Sequence, residues 1–169
     1  LQAGAHGDAP LVDGHRLLEQ RLQVLLELEE VHLAGVRVEV VGELGAEEAV
    51  ALQEAGVTAY NHNIDTSPEH YPNIVTTHTF QDRLNTIRHV QDAGMSVCCG
   101  GILGLGETVE DRLRMLEVIS EFNPPPESIP INALMPMPGT PLEGNDPVDA
   151  FDLARLIAVT RIAVPGARV

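Results

Sequence analysis

Hydrophobic and polar positions along the chain follow a pattern that occurs three times. Each copy has an amphipathic stretch, then Ala-Gly, then a run rich in aliphatic and β-branched residues, and the glycines are Gly35, Gly56 and Gly94. A glycine just past a helix end can adopt the left-handed conformation that closes the last turn. A strand directly after it is typical of a β/α junction, so three junctions in succession predict a parallel sheet with helical crossovers.

The same pattern gives approximate bounds for the elements. The predicted strands are 36–41, 58–63, 96–102 and 129–134, with a further strand starting near Ala167. The predicted helices are 16–32, 80–93, 109–122 and 149–164, and Thr108 is placed to cap the third of these. Because proline has no backbone donor, the Pro-rich stretches 123–130 and 136–147 are predicted to be loops.

These elements amount to about five β/α units, whereas an eight-unit barrel usually needs ~250 residues. The 169 residues therefore predict an α/β chain that is either a small open sheet or an incomplete barrel. A composition that is 44% hydrophobic but only 3% aromatic agrees with this, since parallel sheets are built largely from aliphatic residues.

Charge and hydropathy exclude some partners. A net charge of -15 argues against nucleic acid, because phosphate binding needs a basic surface. No apolar stretch reaches the ~18 residues that span a bilayer, and no signal peptide is visible. We therefore expect a soluble, cytoplasmic protein with no nucleic-acid or membrane partner.

The first candidate binding segment alternates polar side chains at the end of a predicted strand. Asn61, Asn63 and Asp65 share one face by parity, at the strand end where parallel α/β folds bind ligands. Amides suit a ureido or ribose group, and a carboxylate can accept from two hydroxyls. An Asx-rich turn is the alternative, but three polar side chains on an inward face cost desolvation, which favours a binding site. His62 has the opposite parity and is expected to pack outward.

The second candidate segment is the glycine-rich run 97–108. Cys98, Gly100 and Ile102 share a face by parity, and glycines there would let a flat ligand approach the backbone. Ordinary tight turns look similar. Cys98 and Cys99 are the only cysteines, and as neighbours on a strand they point to opposite faces, poorly placed for a disulfide or for one metal.

The third candidate segment is 130–142, where Asn132 is a single amide in an aliphatic strand and is expected to need a partner. Met135 and Met137 could line an apolar pocket or plug the mouth of a barrel. The histidines show no metal-binding spacing, and no nucleophile and base set can be argued. No catalytic residue is assigned.

These segments closely resemble biotin synthases of the radical S-adenosylmethionine superfamily. The matching stretches are YNHNIDTSPEHYPNIVTTHTFQDRL, VCCGGILGLGETVEDR, PINALMPMPGTPL and DAFD, all within 42–169, whereas 1–41 match poorly. The resemblance implies an incomplete (β/α)8 TIM-type barrel, of which this chain would hold roughly strands 4 to 8.

The resemblance also implies an activity, the last step of biotin synthesis. Sulfur is inserted into dethiobiotin after a 4Fe–4S cluster cleaves S-adenosylmethionine to a radical, and a 2Fe–2S cluster supplies the sulfur. An electron donor such as flavodoxin or ferredoxin and a homodimer are further implications.

Site residues follow from the matched positions. The resemblance assigns five side chains to S-adenosylmethionine: Asn63, Asp65, Arg83, Ile102 and Met135. It assigns three amides to the ureido ring of dethiobiotin: Asn61, Asn63 and Asn132. In the first set, Asp65 would bind the ribose hydroxyls and Arg83 would lie near the carboxylate, while Ile102 and Met135 would flank the adenine. Cys98 would be a 2Fe–2S ligand.

The departures from the family bear on activity. The Cys-x3-Cys-x2-Cys loop that holds the 4Fe–4S cluster is absent, and Cys98 is one of four expected 2Fe–2S ligands. A single thiolate should not hold that cluster, so we expect this chain alone to be inactive, with 1–41 a truncated or frameshifted part. The alternatives are a non-catalytic α/β remnant and another radical S-adenosylmethionine enzyme, although the three asparagines favour a ureido substrate.

Overall fold

The structure, a computed structural model, describes residues 43–169. The predicted helix 16–32 and the predicted strand 36–41 lie outside the described residues. Five helices and four short strands occur in this part of the chain. In chain order they are α1 (Ala46–Glu54), β1 (Ala59–Asn61), α2 (Tyr71–Ile74), α3 (Phe80–Asp92), β2 (Ser96–Cys98), β3 (Gly101–Leu103), α4 (Val109–Ser120), β4 (Ile131–Ala133) and α5 (Ala150–Ala163).

The helix ends follow the local signals in the sequence. Gly56 and Gly94 adopt φ of 92° and 81°, and each closes the last turn of the preceding helix, α1 and α3 respectively. Thr108 caps α4 as predicted, because its side chain accepts from the Asp111 N–H at 3.2 Å. The predicted bounds of α3, α4 and α5 differ from the observed ones by one or two residues. Helix α1 was predicted only as the amphipathic stretch before Gly56, and α2 was not predicted.

The strands form two parallel pairs, which confirms an α/β arrangement. Strand β1 pairs with β2, and Asn61 lies opposite Cys98. Strand β3 pairs with β4, and Ile102 lies opposite Asn132. Single bridges extend the pairing, including one from Ser128 to Arg168, close to the strand predicted near Ala167.

The predicted strand 96–102 is divided into β2 and β3 at Cys99-Gly100. A Cβ atom on Gly100 would lie 1.9 Å from the carbonyl oxygen of Pro130, which accepts from the Gly101 N–H at 3.1 Å. The strand is therefore interrupted at the point where the backbone of another segment comes unusually close.

The core is aliphatic, as the composition predicted. Helix α3 packs on α1 and β2, and α5 packs on α4 and β4. The largest fully buried side chains of the core include Leu52, Tyr60, Ile64, Ile87, Leu103, Met115, Ile119 and Ile129. Among residues 43–169, no helix has the length and apolar character needed to cross a membrane.

Candidate functional site

Asp65 occupies a β-bulge just beyond β1. The N–H groups of Ile64 and Asp65 both donate to the Gly100 carbonyl, at 3.1 and 3.3 Å, so two residues oppose one. Asp65 has φ of 65°, a left-handed conformation that Asp tolerates better than most side chains. Bulges beside binding sites re-aim a side chain, so this bulge fixes where the Asp65 carboxylate projects.

The Asp65 carboxylate faces the Arg83 guanidinium. Arg83 Nη2 lies 3.5 Å from Asp65 Oδ2, and the two side chains are 21% and 19% exposed. Burial raises the pKa of Asp65, while the nearby Arg83 charge acts to lower it. The carboxylate oxygens accept no hydrogen bond from residues 43–169, so they remain available to hydroxyl groups of a ligand.

Arg83 is also held by a tyrosine. Its Nε–H donates to Tyr71 Oη at 2.9 Å, and Glu43 Oε1 lies 3.9 Å from the same nitrogen. Within the described chain, Nη1 of Arg83 has no partner. One edge of the guanidinium is thus anchored and the other is open.

Burial alternates along 61–65 as the predicted parity requires. His62 and Ile64 are buried, whereas Asn61, Asn63 and Asp65 are partly exposed. Burial lowers the pKa of His62 to about 3, with the Arg83 charge acting in the same direction. His62 is therefore neutral in the folded chain and packs away from the asparagines.

Asn63 and Cys98 lie on the partly exposed face. Asn63 Oδ1 accepts from the Gly100 N–H at 3.0 Å, so its carbonyl is engaged and its NH2 group is the end left for a ligand. Cys98 is partly exposed beside Asn61, whereas Cys99 is fully buried and burial raises the pKa of its thiol.

Gly100 and Gly101 in the run 97–108 serve packing, which corrects the expectation that glycines there admit a flat ligand. The space beside Gly100 is filled by the Pro130 carbonyl. At Gly101, an added Cβ would lie 2.1 Å from the sulfur of Met115 on α4. Ile102, in the middle of β3, is partly exposed.

Glu107 organises the turn that follows β3, a role that the sequence reasoning missed. Its side chain is 2% exposed, accepts from the Gly104 N–H at 3.0 and 3.1 Å, and accepts from Arg112 Nε at 2.8 Å. Gly104 has φ of 92° there. The glycine, the glutamate three positions later and the arginine five positions after that form a signal that could have indicated this turn.

Asn132 and Met135 differ from the other candidate residues. Asn132 is exposed and its side chain makes no hydrogen bond within the described part, so the expectation that it needs a partner was wrong, because it is not buried. Met135 is 82% exposed, and Met137 is also exposed. Both methionine side chains are thus open to solvent in the described part of the chain.

Metal-binding groups are sparse in the described residues. No three His, Cys, Asp or Glu side chains in 43–169 lie close enough together to hold a metal ion. Cys98 is the partly exposed thiol of this part of the chain.

Two family models match the chain. The Radical SAM superfamily matches residues 9–119, starting well before Gly42, and the Biotin and Thiamin Synthesis associated domain matches residues 130–169.

Several biotin synthases are similar over most of this chain. The biotin synthase of Synechococcus sp. (strain CC9311) is 59% identical over 122 residues, which is 72% of this chain and 37% of that protein. That of Prochlorococcus marinus (strain AS9601) is 56% identical over 128 residues, 76% of this chain and 38% of that protein. The chain thus spans about two fifths of the length of the curated relatives that it matches.

Solved structures share the fold at low identity. Methylornithine synthase (PylB) aligns with a TM-score of 0.72 and 24% identity, over 92% of this chain and 44% of that chain. The FeFe-hydrogenase maturase HydG from Carboxydothermus hydrogenoformans aligns with a TM-score of 0.72 and 16% identity, over 93% of this chain and 39% of that chain. With the superfamily match covering more than half of its residues, the chain belongs to the radical SAM superfamily.

Proposed function

We propose that the chain is part of a biotin synthase, whose complete enzyme inserts sulfur into dethiobiotin to form biotin. The observation that carries this proposal is an identity of 56–59% to biotin synthases over more than 120 residues, which include the Asn61–Asp65 segment. The domain match over residues 130–169 supports the same assignment.

S-adenosylmethionine would bind at the open edge of Asp65 and Arg83, and when bound it would supply the radical chemistry of the superfamily. The donor set fits, because Asp65 offers unengaged carboxylate oxygens for ribose hydroxyls and Arg83 Nη1 offers an unengaged donor for a carboxylate. Asn63 would act as a donor only, since its carbonyl is engaged by Gly100. Ile102 and Met135 would flank the adenine.

Dethiobiotin would be oriented by the NH2 groups and carbonyls of asparagines. Asn61, which is adjacent to Cys98 in the β1–β2 pair, would contact the ureido ring together with Asn63 and Asn132. An amide can both donate to and accept from a ureido group, so such side chains match both of its ends.

The cysteines of this chain do not fit either cluster. Cys98 is a single partly exposed thiol, Cys99 is buried on the other face, and the sequence holds no further cysteine. We therefore propose that the chain alone is inactive and assign no step to a cluster. In the complete enzyme the described part would belong to a (β/α)8 barrel as roughly strands 4 to 8.

Further features of the complete enzyme are proposals from the family resemblance. We propose a cytoplasmic homodimer that receives electrons from a donor such as flavodoxin or ferredoxin. Its 4Fe–4S and 2Fe–2S clusters would draw their remaining ligands from outside the described residues.

A hybrid enzyme tests the proposed function. Residues 43–169 would replace the matching stretch of the Synechococcus biotin synthase, and growth of a biotin-requiring bacterial strain would be measured without biotin. We expect the hybrid to support growth, Asp65→Asn to abolish it, and the exposed Asp92→Asn to leave it unchanged. A folded hybrid that fails to support growth would overturn the proposal.

Inactivity of the chain alone has its own experiment. The 169-residue chain would be treated with iron and sulfide under reducing conditions, and its visible absorbance and biotin formation would be measured. We expect neither a stoichiometric cluster nor turnover. Either one would contradict the prediction.

A further inference from the structure

Tyr71 is a buried tyrosine whose hydroxyl forms a hydrogen bond with a single side chain. Its ring is 1% exposed and meets the Phe80 ring edge-on, with centroids 5.4 Å apart and planes at 75°. Its Oη accepts the Nε–H of Arg83 at 2.9 Å. A ring packed in this way has little rotational freedom, so the hydroxyl is a fixed acceptor.

Fixing Nε fixes the whole guanidinium, because that group is planar and its five donors have a rigid geometry. With Nε held by Tyr71, the neighbouring Nη2 is turned toward Asp65 and lies 3.5 Å from Asp65 Oδ2. Nη1 makes no contact with the described chain. The orientation thus leaves one donor open beside the Asp65 carboxylate.

A second carboxylate competes for Arg83. Glu43 Oε1 lies 3.9 Å from Arg83 Nε and has no hydrogen-bond partner, while Glu43 Oε2 accepts from Thr86 Oγ1 at 2.8 Å. A buried carboxylate oxygen without a partner is costly, so Glu43 would attract the guanidinium if it were released. The Tyr71 hydroxyl occupies the donor that Glu43 would otherwise take.

We infer that Tyr71 is a positioning residue that holds Arg83 toward the carboxylate of an amino-acid-bearing nucleoside and away from Glu43. This inference rests on the proposed function for the identity of the ligand. Tyr71 itself does not contact the ligand. Its contribution is to orient a donor that does.

The affinities of the chain for two nucleosides distinguish the positioning role of Tyr71 from general structural support. S-adenosylhomocysteine carries the amino-acid carboxylate and 5′-methylthioadenosine lacks it, so only the first depends on the Arg83 orientation. Calorimetric titration of the 169-residue chain should show roughly five- to tenfold weaker S-adenosylhomocysteine binding in Tyr71→Phe, the loss typical of a single hydrogen bond. Binding of 5′-methylthioadenosine should be unchanged.

Two further variants sharpen the test. Tyr60→Phe removes another buried hydroxyl, one that has no hydrogen-bond partner, and should change neither affinity. Adding Glu43→Gln to Tyr71→Phe removes the competing charge and should restore part of the S-adenosylhomocysteine affinity. Equal losses for both nucleosides, or the same loss in Tyr60→Phe, would overturn the inference.

A readout without ligand keeps the inference separate from the proposed function. In a proton–nitrogen NMR spectrum of the chain, the Arg83 Nε–H should exchange slowly with water in the wild type and in Tyr60→Phe, and rapidly in Tyr71→Phe. If the wild type binds neither nucleoside, the proposed S-adenosylmethionine site on this chain fails, and this signal still decides the positioning role. An unchanged exchange rate in Tyr71→Phe would overturn it.

Discussion

The candidate site has a tied part (Asn63, Asp65 and Arg83) and an open part (Asn132 and Met135). In the tied part, each side chain has a set position: Asn63 on the Gly100 N–H, Asp65 on a bulge and Arg83 on a tyrosine hydroxyl. In the open part, Asn132 and Met135 are exposed, and their side chains make no hydrogen bond to the described chain. The difference lies in anchoring and not in residue type, since each part contains an asparagine.

The degree of anchoring affects how each part can recognise a ligand. Polar groups that are already oriented bind a ligand without losing further conformational freedom, whereas ordering a long side chain such as Met135 costs up to about 2 kcal/mol. We therefore expect the tied part to provide most of the selectivity for polar groups of a ligand. The open part would add apolar contact area only once a ligand orders it.

Gly100 lies between the Asn63 side chain and the Pro130 backbone just before β4, and the largest expected effect comes from disturbing that close approach. Gly100→Ala would place a methyl group 1.9 Å from the Pro130 carbonyl oxygen, which is backbone and cannot turn aside. We expect a loss of about 3 kcal/mol in the free energy of unfolding, at the upper end for overpacking. Urea unfolding followed by circular dichroism measures it.

Gly144→Ala is the matched control for this substitution. No atom lies within 4 Å of a Cβ at Gly144, so the same change of residue should alter stability by less than about 0.5 kcal/mol. Equal stabilities of the two variants would show that the approach of Pro130 to Gly100 is not tight in solution.

The pH dependence of the free energy of unfolding tests the burial of His62, whose side chain packs on the face away from Asn63 and Asp65. His62 has its pKa lowered from 6.5 to about 3, mainly by burial, so its folded form is neutral while its unfolded form takes up a proton below pH 6.5. The contribution of His62 to the free energy of unfolding is therefore full above pH 6.5. It falls as the pH drops towards 3, by about 1.4 kcal/mol per pH unit. Between pH 6.5 and about pH 4.5 this amounts to about 2 kcal/mol.

His62→Gln should remove this part of the pH dependence, and His78→Gln, at an exposed histidine, should keep it. Unfolding in urea at a series of pH values gives the slopes. Glu43 Oε2 lies 3.8 Å from His62 Nε2 and would favour the protonated ring. An unchanged slope in His62→Gln would show that this carboxylate offsets the effect of burial.

The sequence signals that succeeded are local ones. Gly56, Gly94 and Thr108 act on the helix beside them, so their conformations follow from residues a few positions away. The alternation of 61–65 is also local, because neighbouring side chains on an extended chain point in opposite directions. These signals were sufficient for the α/β class and for the face that carries Asn63 and Asp65.

The features that escaped prediction depend on residues far apart in sequence. The interruption of strand 96–102 depends on Pro130, and the orientation of Arg83 depends on Tyr71 and Glu43. Asn132 looked buried because its strand is aliphatic, yet its exposure is set by what packs against β4. Periodicity has no information on such contacts, which arise only when segments meet.

The smallest expected effect comes from the same substitution in both parts. Asn63→Ala leaves the N–H of the buried Gly100 without an acceptor, which should cost about 1 to 2 kcal/mol in the free energy of unfolding. Asn132→Ala removes an exposed amide without a hydrogen bond, so the cost should stay below about 0.5 kcal/mol. Equal losses in urea unfolding would mean that Asn132 is anchored as firmly as Asn63, and the distinction between the tied and open parts would not hold.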